Sequence, residues 1–554
     1  MARALGIHPA VASVLRGRGI TTVDAARDFL NPSLDKLLDP FGLPDMTAAV
    51  DRLAQAIEKR ETLMVHGDYD MDGVTASALM VRFLSKLGVD VHYFIPHRQI
   101  DQYGLSVNAV RQAARLGVTL VVAVDCGVTA TEPVAEARRL NMDVIVLDHH
   151  EPGDSLPDAN AVVDPKRADA TYPERELASV GLAFKTASAV CLRLNIPQES
   201  LQRAFLDLVS LGTVADVVPL LGENRIMTHY GLASLPKTRK VGLQALLRLC
   251  NLNGQVRSSD VAFRLGPRMN AVGRMGDATD ALELLLTDDE EEATRLALEL
   301  ERANQERQRE QENTYRDALR LIDEQVDLDN DRVVVLSSSD WHIGVVGIVA
   351  SKILERHGRP TILLVEQGDE ARGSARSIQQ FDIASALDQC RDTLLRYGGH
   401  ALAAGLTLRT EDLQEFRTRL NQIAAELLDL DQICPRIHID AELLLDEIDE
   451  ELLAGLRSLE PYGQSNPDPL FITRGVDVLD ARAVGRDENH LKLFVSQGER
   501  PVDCIGFGMG PELQHLQRGA LLDICHTPEI NEYNGTRGLQ LRLEAIRPAR
   551  ADGA

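Results

Sequence analysis

TLMVHGDYDMDGV, residues Thr62–Val74, sets a short apolar run in front of a glycine and three alternating aspartates. Four more runs of the same kind follow: VDVHYFI (Val89–Ile95), VTLVVAVD (Val118–Asp125), MDVIVLD (Met142–Asp148) and NAVVD (Asn160–Asp164). Between them lie stretches with helical spacing, such as Val74–Leu87 and Ser106–Leu116. Strands covered on both faces read as unbroken apolar runs, and their alternation with helices predicts an α/β unit on a parallel sheet. The runs that end at Gly67, Val124 and Leu147 pass at once into DYDMD, DCG and DHH. Ligands of open parallel sheets sit beyond the carboxyl ends of the strands, so these clusters are expected to meet in one crevice.

At about 100–200 residues per domain, the 554 residues hold three or four domains. Charged residues at 26% and hydrophobic residues at 44% describe an ordinary globular chain and exclude wholesale disorder. The 59 Lys and Arg against 84 Asp and Glu leave a net charge of −25. That balance argues against a protein that coats nucleic acid over its whole surface, while leaving room for a local basic groove and for acidic clusters that hold cations. Most of the cations are Arg, whose planar fork suits phosphate. No apolar run reaches the ~18 residues of a membrane span, and arginines interrupt the N-terminal stretch where a signal peptide would be apolar. A cytoplasmic protein with no membrane partner is expected. Seven scattered cysteines without a CxxC pair support neither a disulfide framework nor a zinc-thiolate site, and Cys126 reads as a small buried residue.

Beyond the first unit, Leu201–Leu211 and Val241–Cys250 have helical spacing. Thr287 to Val326 opens with TDDEEE, a good helix N-terminus, and its middle, ERANQERQREQEN, is polar on every face. A helix polar all round bridges domains through solvent. At ~1.5 Å per residue this connector would span about 60 Å. RVVVLSSS, VVGIVASKILERHG and TILLVE then begin a second α/β unit, which contains RGSARS (Arg372–Ser377) and GGHALAAG (Gly398–Gly405). From about Pro435 the pattern changes to short strands with turns between them, the signature of a small β-barrel of OB-fold size.

In extended geometry, Asp68, Asp70 and Asp72 point to one side of the chain. Three carboxylates packed there repel unless a cation neutralises them, and oxygen ligands with imidazole select Mn²⁺ or Mg²⁺. The structural alternative is a polar loop capping the helix expected to start near Val74. Asp125, the triplet Asp148-His149-His150, and Asp216 among the apolar residues of LGTVADVVPL extend the same set. A buried carboxylate needs a partner or a metal, although Asp216 could equally cap a helix.

DYDMDG, VDCG, LDHHEP and GTVADVVPL, in this order, resemble the four motifs of the DHH phosphoesterase superfamily. RLGPRMNAVGRMG, DWHIGVVGIVASKI, GGHALAAG and LEPYGQSNPDP are similar to motifs of its RecJ family of single-stranded-DNA exonucleases, so the resemblance covers nearly the whole chain. Met71 and Ile343 depart from the usual residues of that pattern, and neither is a candidate ligand. The resemblance implies a 1–55 N-terminal extension, a DHH catalytic domain over 56–286, a connecting helix over 287–328, a DHHA1 domain over 329–430 and an OB-fold domain over 435–550. It further implies two Mn²⁺ or Mg²⁺ ions held by Asp70, Asp72, Asp125, His149 and Asp216, with Asp68 as a ligand or close by and Asp125 as the bridge. His150 would face the substrate, and Asp125, Asp148 and His150 form the catalytic set.

The motifs also supply groups for the phosphodiester. Arg98, Arg268, Asn270, Arg274, Ser374, Arg376 and His400 are the expected substrate contacts, with Gly398, Gly399 and Gly405 letting backbone N–H groups approach phosphate. Tyr103 in QYGLS could stack on a base, and any single Arg could instead serve an ion pair. GFGMG (Gly506–Gly510) opens no βαβ unit and reads as a barrel turn. The resemblance thus implies a metal-dependent 5′-to-3′ exonuclease that degrades single-stranded DNA to mononucleotides in repair and recombination, with a single-strand-binding protein and a helicase as partners. Alternatives are a DHH-family oligoribonuclease or cyclic-dinucleotide phosphodiesterase, against which the barrel-like C-terminal region speaks, and a non-catalytic DNA-binding scaffold, against which the intact acids and His149 speak.

Overall fold

Five short strands form one parallel sheet in the computed structural model, which describes residues 1–97, 104–429, 433, 436–485, 487–533 and 536–549. They are β1 (Thr62–His66), β2 (Asp90–Phe94), β3 (Leu120–Val124), β4 (Asp143–Leu147) and β5 (Ala161–Val163), in the order β2-β1-β3-β4-β5. Alternate side chains serve two cores. Leu63, Val65, Val122, Ile145 and Leu147 join one, while Met64, Val121, Ala123, Val144 and Val146 join the other. This is why the strands read as continuous apolar runs rather than alternating ones. The strand order reverses between β1 and β3, and the crevice outside the carboxyl ends at such a point is where open α/β sheets bind ligands.

The chain from Ser179 to Leu286 is helical, with Gln198–Ala215 and Val241–Leu249 matching the expected helices. The connector is a helix of 36 residues, Glu290–Gln325, N-capped by Asp289, whose carboxylate accepts the Glu292 N–H. At ~1.5 Å per residue it is about 54 Å long. The middle is solvated as expected except along one stripe: Asn304, Gln311 and Thr314 are buried, and Arg307 donates to both Asn304 and Gln311 at 2.6 Å. A polar stripe can be buried when its members satisfy one another, and residue composition alone does not reveal that pairing.

The second sheet runs β6-β7-β8-β10-β9, from β6 (Val334–Ser338), β7 (Thr361–Gln367), β8 (Glu370–Arg376), β9 (Arg396–His400) and β10 (Ala403–Arg409). Only β6 and β7 are parallel; the other pairs are antiparallel. The last sheet comprises β11 (Ala441–Glu442), β12 (Phe471–Val484), β13 (His490–Gln497), β14 (Arg500–Gly506), β15 (Leu521–Tyr533) and β16 (Thr536–Pro548). Its order β12-β13-β14-β16-β15 closes by pairing of β15 with β12, which makes the expected small barrel. GFGMG lies where β14 ends and a short 3₁₀ turn begins.

The N-terminal helices Pro9–Gly17 and Val23–Leu30 do not form a core of their own. Val11, Val14, Leu15 and Phe29 share one with Leu452, Phe471, Val476 and Leu493 of the C-terminal unit. No helix among the described residues is long and apolar enough to cross a membrane.

Candidate active site

β1 ends at His66, and the chain turns through Asp68 and Asp70 directly into the helix Met71–Lys86. The expected extended alternation of Asp68, Asp70 and Asp72 is therefore not what gathers them. Asp70 is the N-cap, its Oδ1 accepting the Asp72 and Gly73 N–H groups at 3.0 and 3.1 Å, and the helix starts at Met71 rather than near Val74. Both structural and chemical readings of Asp70 can hold, because a cap engages one oxygen and leaves the other. Asp72 lies in the first turn, fully buried, and accepts the N–H groups of Ser179 (2.6 Å) and Val180 (2.9 Å) at the start of the helix Ser179–Arg193. Gly73 is required here, since a Cβ would stand 2.6 Å from the Asp68 nitrogen. Gly212 plays the same part opposite, where a Cβ would meet Thr75 Oγ1 at 2.4 Å and Asp72 Oδ1 at 2.7 Å.

Asp125 follows β3 with φ +61°, a left-handed conformation that Asp tolerates better than most residues, and it is buried. His149 follows β4, its Nε2 3.4 Å from Asp125 Oδ1 and 3.5 Å from Asp216 Oδ2. Asp216 is the C-cap residue of the helix Gln198–Ala215. Asp148 turns away from this cluster. Its Oδ1 accepts the His149 and His150 N–H groups and the His150 Nδ1–H at 2.8, 3.2 and 2.7 Å, and its Oδ2 accepts the Val128 N–H at 2.9 Å. Through Nδ1 it fixes both the tautomer and the orientation of His150. Cys126 is fully buried, as expected.

The ligand atoms form three overlapping groups, each within 4.8 Å: Asp68, Asp70 and Asp125; Asp72, His149 and Asp216; Asp125, His149 and His150. Burial, then the charge of Asp70, pushes Asp72 up to about 7. Burial with Asp72 and Asp70 pushes Asp216 up to about 9, and burial with four neighbouring aspartates raises Asp125 well above the carboxylate range. Burial, reinforced by His150, holds His149 down to about 3, so its imidazole is neutral. His150 is raised: burial opposes its charge, and the Asp148 hydrogen bond together with the charges of Asp148, Asp70 and Asp68 outweighs that. Carboxylates that cannot all ionise together, beside a neutral imidazole, form a donor set that fits hard divalent cations such as Mn²⁺ or Mg²⁺.

The expected substrate residues divide by position. Asn270 Oδ1 accepts the Met71 N–H at 2.7 Å and so pins the DYDMDG turn. Arg268 pairs with Glu301 of the long helix at 2.5 Å and donates to the Arg264 carbonyl, the ion-pair alternative. Arg274 reaches the Gly344 carbonyl at 3.4 Å and joins the catalytic unit to the helix Ile343–His357. That helix crosses the second sheet where a Cβ on Gly347 would stand 3.0 Å from Arg376 and 3.4 Å from Ser374. Ser374, Gly405 and Gly398 are in register across β8, β10 and β9, as are Arg376, Ala403 and His400 two residues along. The sheet thus gathers Ser374, Arg376, Gly398 and His400 on one face. Gly399, one residue along β9, has φ +149°. Arg98 and Tyr103 lie outside the described residues.

Two further residues at the site escape the sequence reading. Asp164 follows β5 as the other acids follow their strands; it is fully buried, and burial pushes it up to about 7. Lys166 comes two residues later, with its N–H donated to Asp164 Oδ1 at 2.7 Å. The acid at the end of NAVVD is the signal that could have found them.

The family profile of the DHH family N-terminal domain matches residues 62–213, that of the DHHA1 domain residues 330–426, and that of the RecJ OB domain residues 439–545. The single-stranded-DNA-specific exonuclease RecJ of Bacillus subtilis is 39% identical over 543 residues, 98% of this chain and 68% of that protein. The protein of the same name from Escherichia coli is 36% identical over 565 residues, 98% and 96% of the two chains. The crystal structure of RecJ from Thermus thermophilus in complex with Mn²⁺ superposes with a TM-score of 0.84 at 33% identity, covering 99% of this chain and 77% of that one. Its Mg²⁺ complex gives 0.78 at 31% identity, covering 99% and 76%.

Proposed function

The chain belongs to the RecJ family of single-stranded-DNA-specific exonucleases, metal-dependent nucleases, and from this we propose that it removes mononucleotides from the 5′ end of single-stranded DNA during repair and recombination in the cytoplasm. The observation that carries the reading is the convergence of Asp68, Asp70, Asp72, Asp125, His149 and Asp216 beyond the strand ends, in groups within 4.8 Å. These six residues would hold two Mn²⁺ or Mg²⁺ ions, with Asp125 shared. Ions held there would supply an activated water and neutralise charge on the entering and leaving oxygens of an in-line displacement.

The chain's own residues do the rest. Asp148 holds His150 in one orientation and favours its charged form, in which Nε2–H can donate to the scissile phosphate or to the leaving oxygen. Ser374, Arg376, Gly398 and His400 receive the phosphate of the strand's end, and Arg274 ties that face to the catalytic unit. Asn270 and Asp148 are positioning residues. Asp164 backs the Asp148 loop. We assign catalysis to 56–286, strand-end binding to 329–430 and strand holding to the barrel of 435–550. An enzyme restricted to single strands depends on a helicase to open duplex and on a single-strand-binding protein to present it, which makes these its partners.

A time course on 5′- and 3′-labelled single strands in Mn²⁺, Mg²⁺ and chelator tests the reading. Mononucleotides released first from the 5′ label, and no hydrolysis in chelator, are the expected result. Release from the 3′ label, or activity in chelator, overturns it.

A further inference from the structure

Lys166 stands between Glu151 and Glu176, at the edge of the acidic cluster. Its backbone is fixed at both ends of the peptide: the N–H is donated to Asp164 Oδ1 at 2.7 Å, and the carbonyl accepts from Arg175 at 2.8 Å. The ammonium reaches Glu151 at 3.8 Å, the residue after His150, and Glu176 at 3.3 Å, three residues before the Ser179 N–H that holds Asp72. Both partners are more than half exposed, at 61% and 55%, while the Lys166 side chain is only 18% exposed. An ammonium mostly shielded from water yet held by loose pairs to solvated carboxylates exchanges them readily for a better anion. Its charge is felt at both His149 and Asp216.

We propose that Lys166 contacts a non-bridging oxygen of the scissile phosphate and keeps hold of that phosphate when, with the P–O3′ bond broken, it becomes the 5′-phosphate of the shortened strand. The proposal rests on the nuclease reading above. A cluster of acids repels a polyanion, and a cation at its edge offsets that repulsion without competing for the ligand atoms. Lys166 approaches from the β5 side, whereas the Ser374–Arg376 face belongs to the second sheet; the two would grip the strand on different sides of the scissile bond.

The test compares Lys166→Gln, Lys166→Arg and the double variant Glu151→Gln/Glu176→Gln in the full chain with Mn²⁺. Lys166→Gln is expected to lower kcat by about 10²-fold, the size of one lost electrostatic contact in an active site. It should also weaken binding of the product strand, a 5′-phosphorylated oligothymidylate held in chelator, by about tenfold, as one lost charged contact does, while Mn²⁺ titrates as in the parent. Lys166→Arg should recover part of both losses, and the double variant should keep parental kcat. If the double variant shares the loss, Lys166 merely ties Glu151 to Glu176. Parental turnover and product-strand binding in Lys166→Gln also overturn the contact. Hydrolysis by the parent, abolished in Asp125→Asn, is read in parallel, so a negative result at Lys166 counts against this contact alone.

Discussion

Asp125 shows how one residue answers to conformation, electrostatics and chemistry at once. Its φ of +61° favours Asn over Ala as the test substitution, since Ala would add backbone strain of about 1–2 kcal/mol to any chemical effect. Asp125→Asn is expected to lower kcat by more than about 10²–10³-fold, because the carboxylate belongs to two of the three ligand groups. In chelator it should melt higher than the parent, since it removes one of the mutually repelling acids that raise one another. Parental turnover, or a lower melting temperature in chelator, contradicts this. The pH dependence follows. Asp72 at about 7 and Asp216 at about 9 hold protons in the folded metal-free chain that the unfolded chain has released by about pH 4. Metal-free stability therefore declines as pH rises from about 4 to 9, and the decline is shallower in the variant. Arg268 and Arg376, alike in the sequence, part company in the structure. Arg376→Ala should flatten the salt dependence of single-strand binding by about 0.7 in log–log slope. Arg268→Ala, which breaks the pair with Glu301, should lower the melting temperature and leave the slope unchanged; a flattened slope there would return Arg268 to the DNA.

At the scale of elements, what was legible in the sequence was whatever repeats locally. A strand followed by an acid is such a signal, and it located Asp125, His149 and the DYDMDG turn. The way Asp70 and Asp72 come together was not, because a helix beginning at Met71 replaces the extended chain, and its cap depends on a turn that alternation does not distinguish. Nor was the buried stripe of the long helix, since Arg307 with Asn304 and Gln311 looks the same in sequence whether exposed or paired. Contacts between distant segments leave no local pattern at all. Arg225 is the clearest case: buried, it donates to the carbonyls of Phe29, Ser458, Leu459, Glu460 and Pro461 and lies 3.8 Å from the Phe29 ring centroid. Burial pulls its guanidinium down to about 10. Five acceptors around one fork make it a clasp between the N-terminal helix Val23–Leu30, its own helix Gly222–Ser234 and the segment leading to the barrel. Arg225→Met strands those carbonyls and should lower stability by about 3 kcal/mol or more, and Arg225→Lys should recover little of it. An unchanged melting temperature in Arg225→Met denies the clasp.

For the whole molecule, the shared core of N-terminal helices and C-terminal barrel changes how the barrel's role must be tested. The barrel unit is fastened beside the catalytic rim: Leu220 donates its N–H to the Gln464 carbonyl at 2.9 Å, and Ser258 donates to the Tyr462 carbonyl at 2.5 Å. If the barrel holds the trailing DNA as proposed, stacking and backbone charge are the means. Cutting the chain after Ile433 alone would strip Val11, Val14, Leu15 and Phe29 of their packing and Arg225 of its carbonyls. The matched deletion therefore removes 1–31 together with 434–554 and carries Arg225→Met, while keeping Ile433, which belongs to the core of the second sheet. That trimmed chain should hydrolyse short oligonucleotides in Mn²⁺ at a kcat near the parent's, with KM rising steeply only for long single strands. If the strand reaches the cluster by a path of single-strand width between the lobes, the intact chain should leave blunt duplex uncut. Equal KM for long strands in the trimmed and intact chains would take the barrel out of the mechanism, and rapid digestion of blunt duplex without a helicase would remove the narrow path.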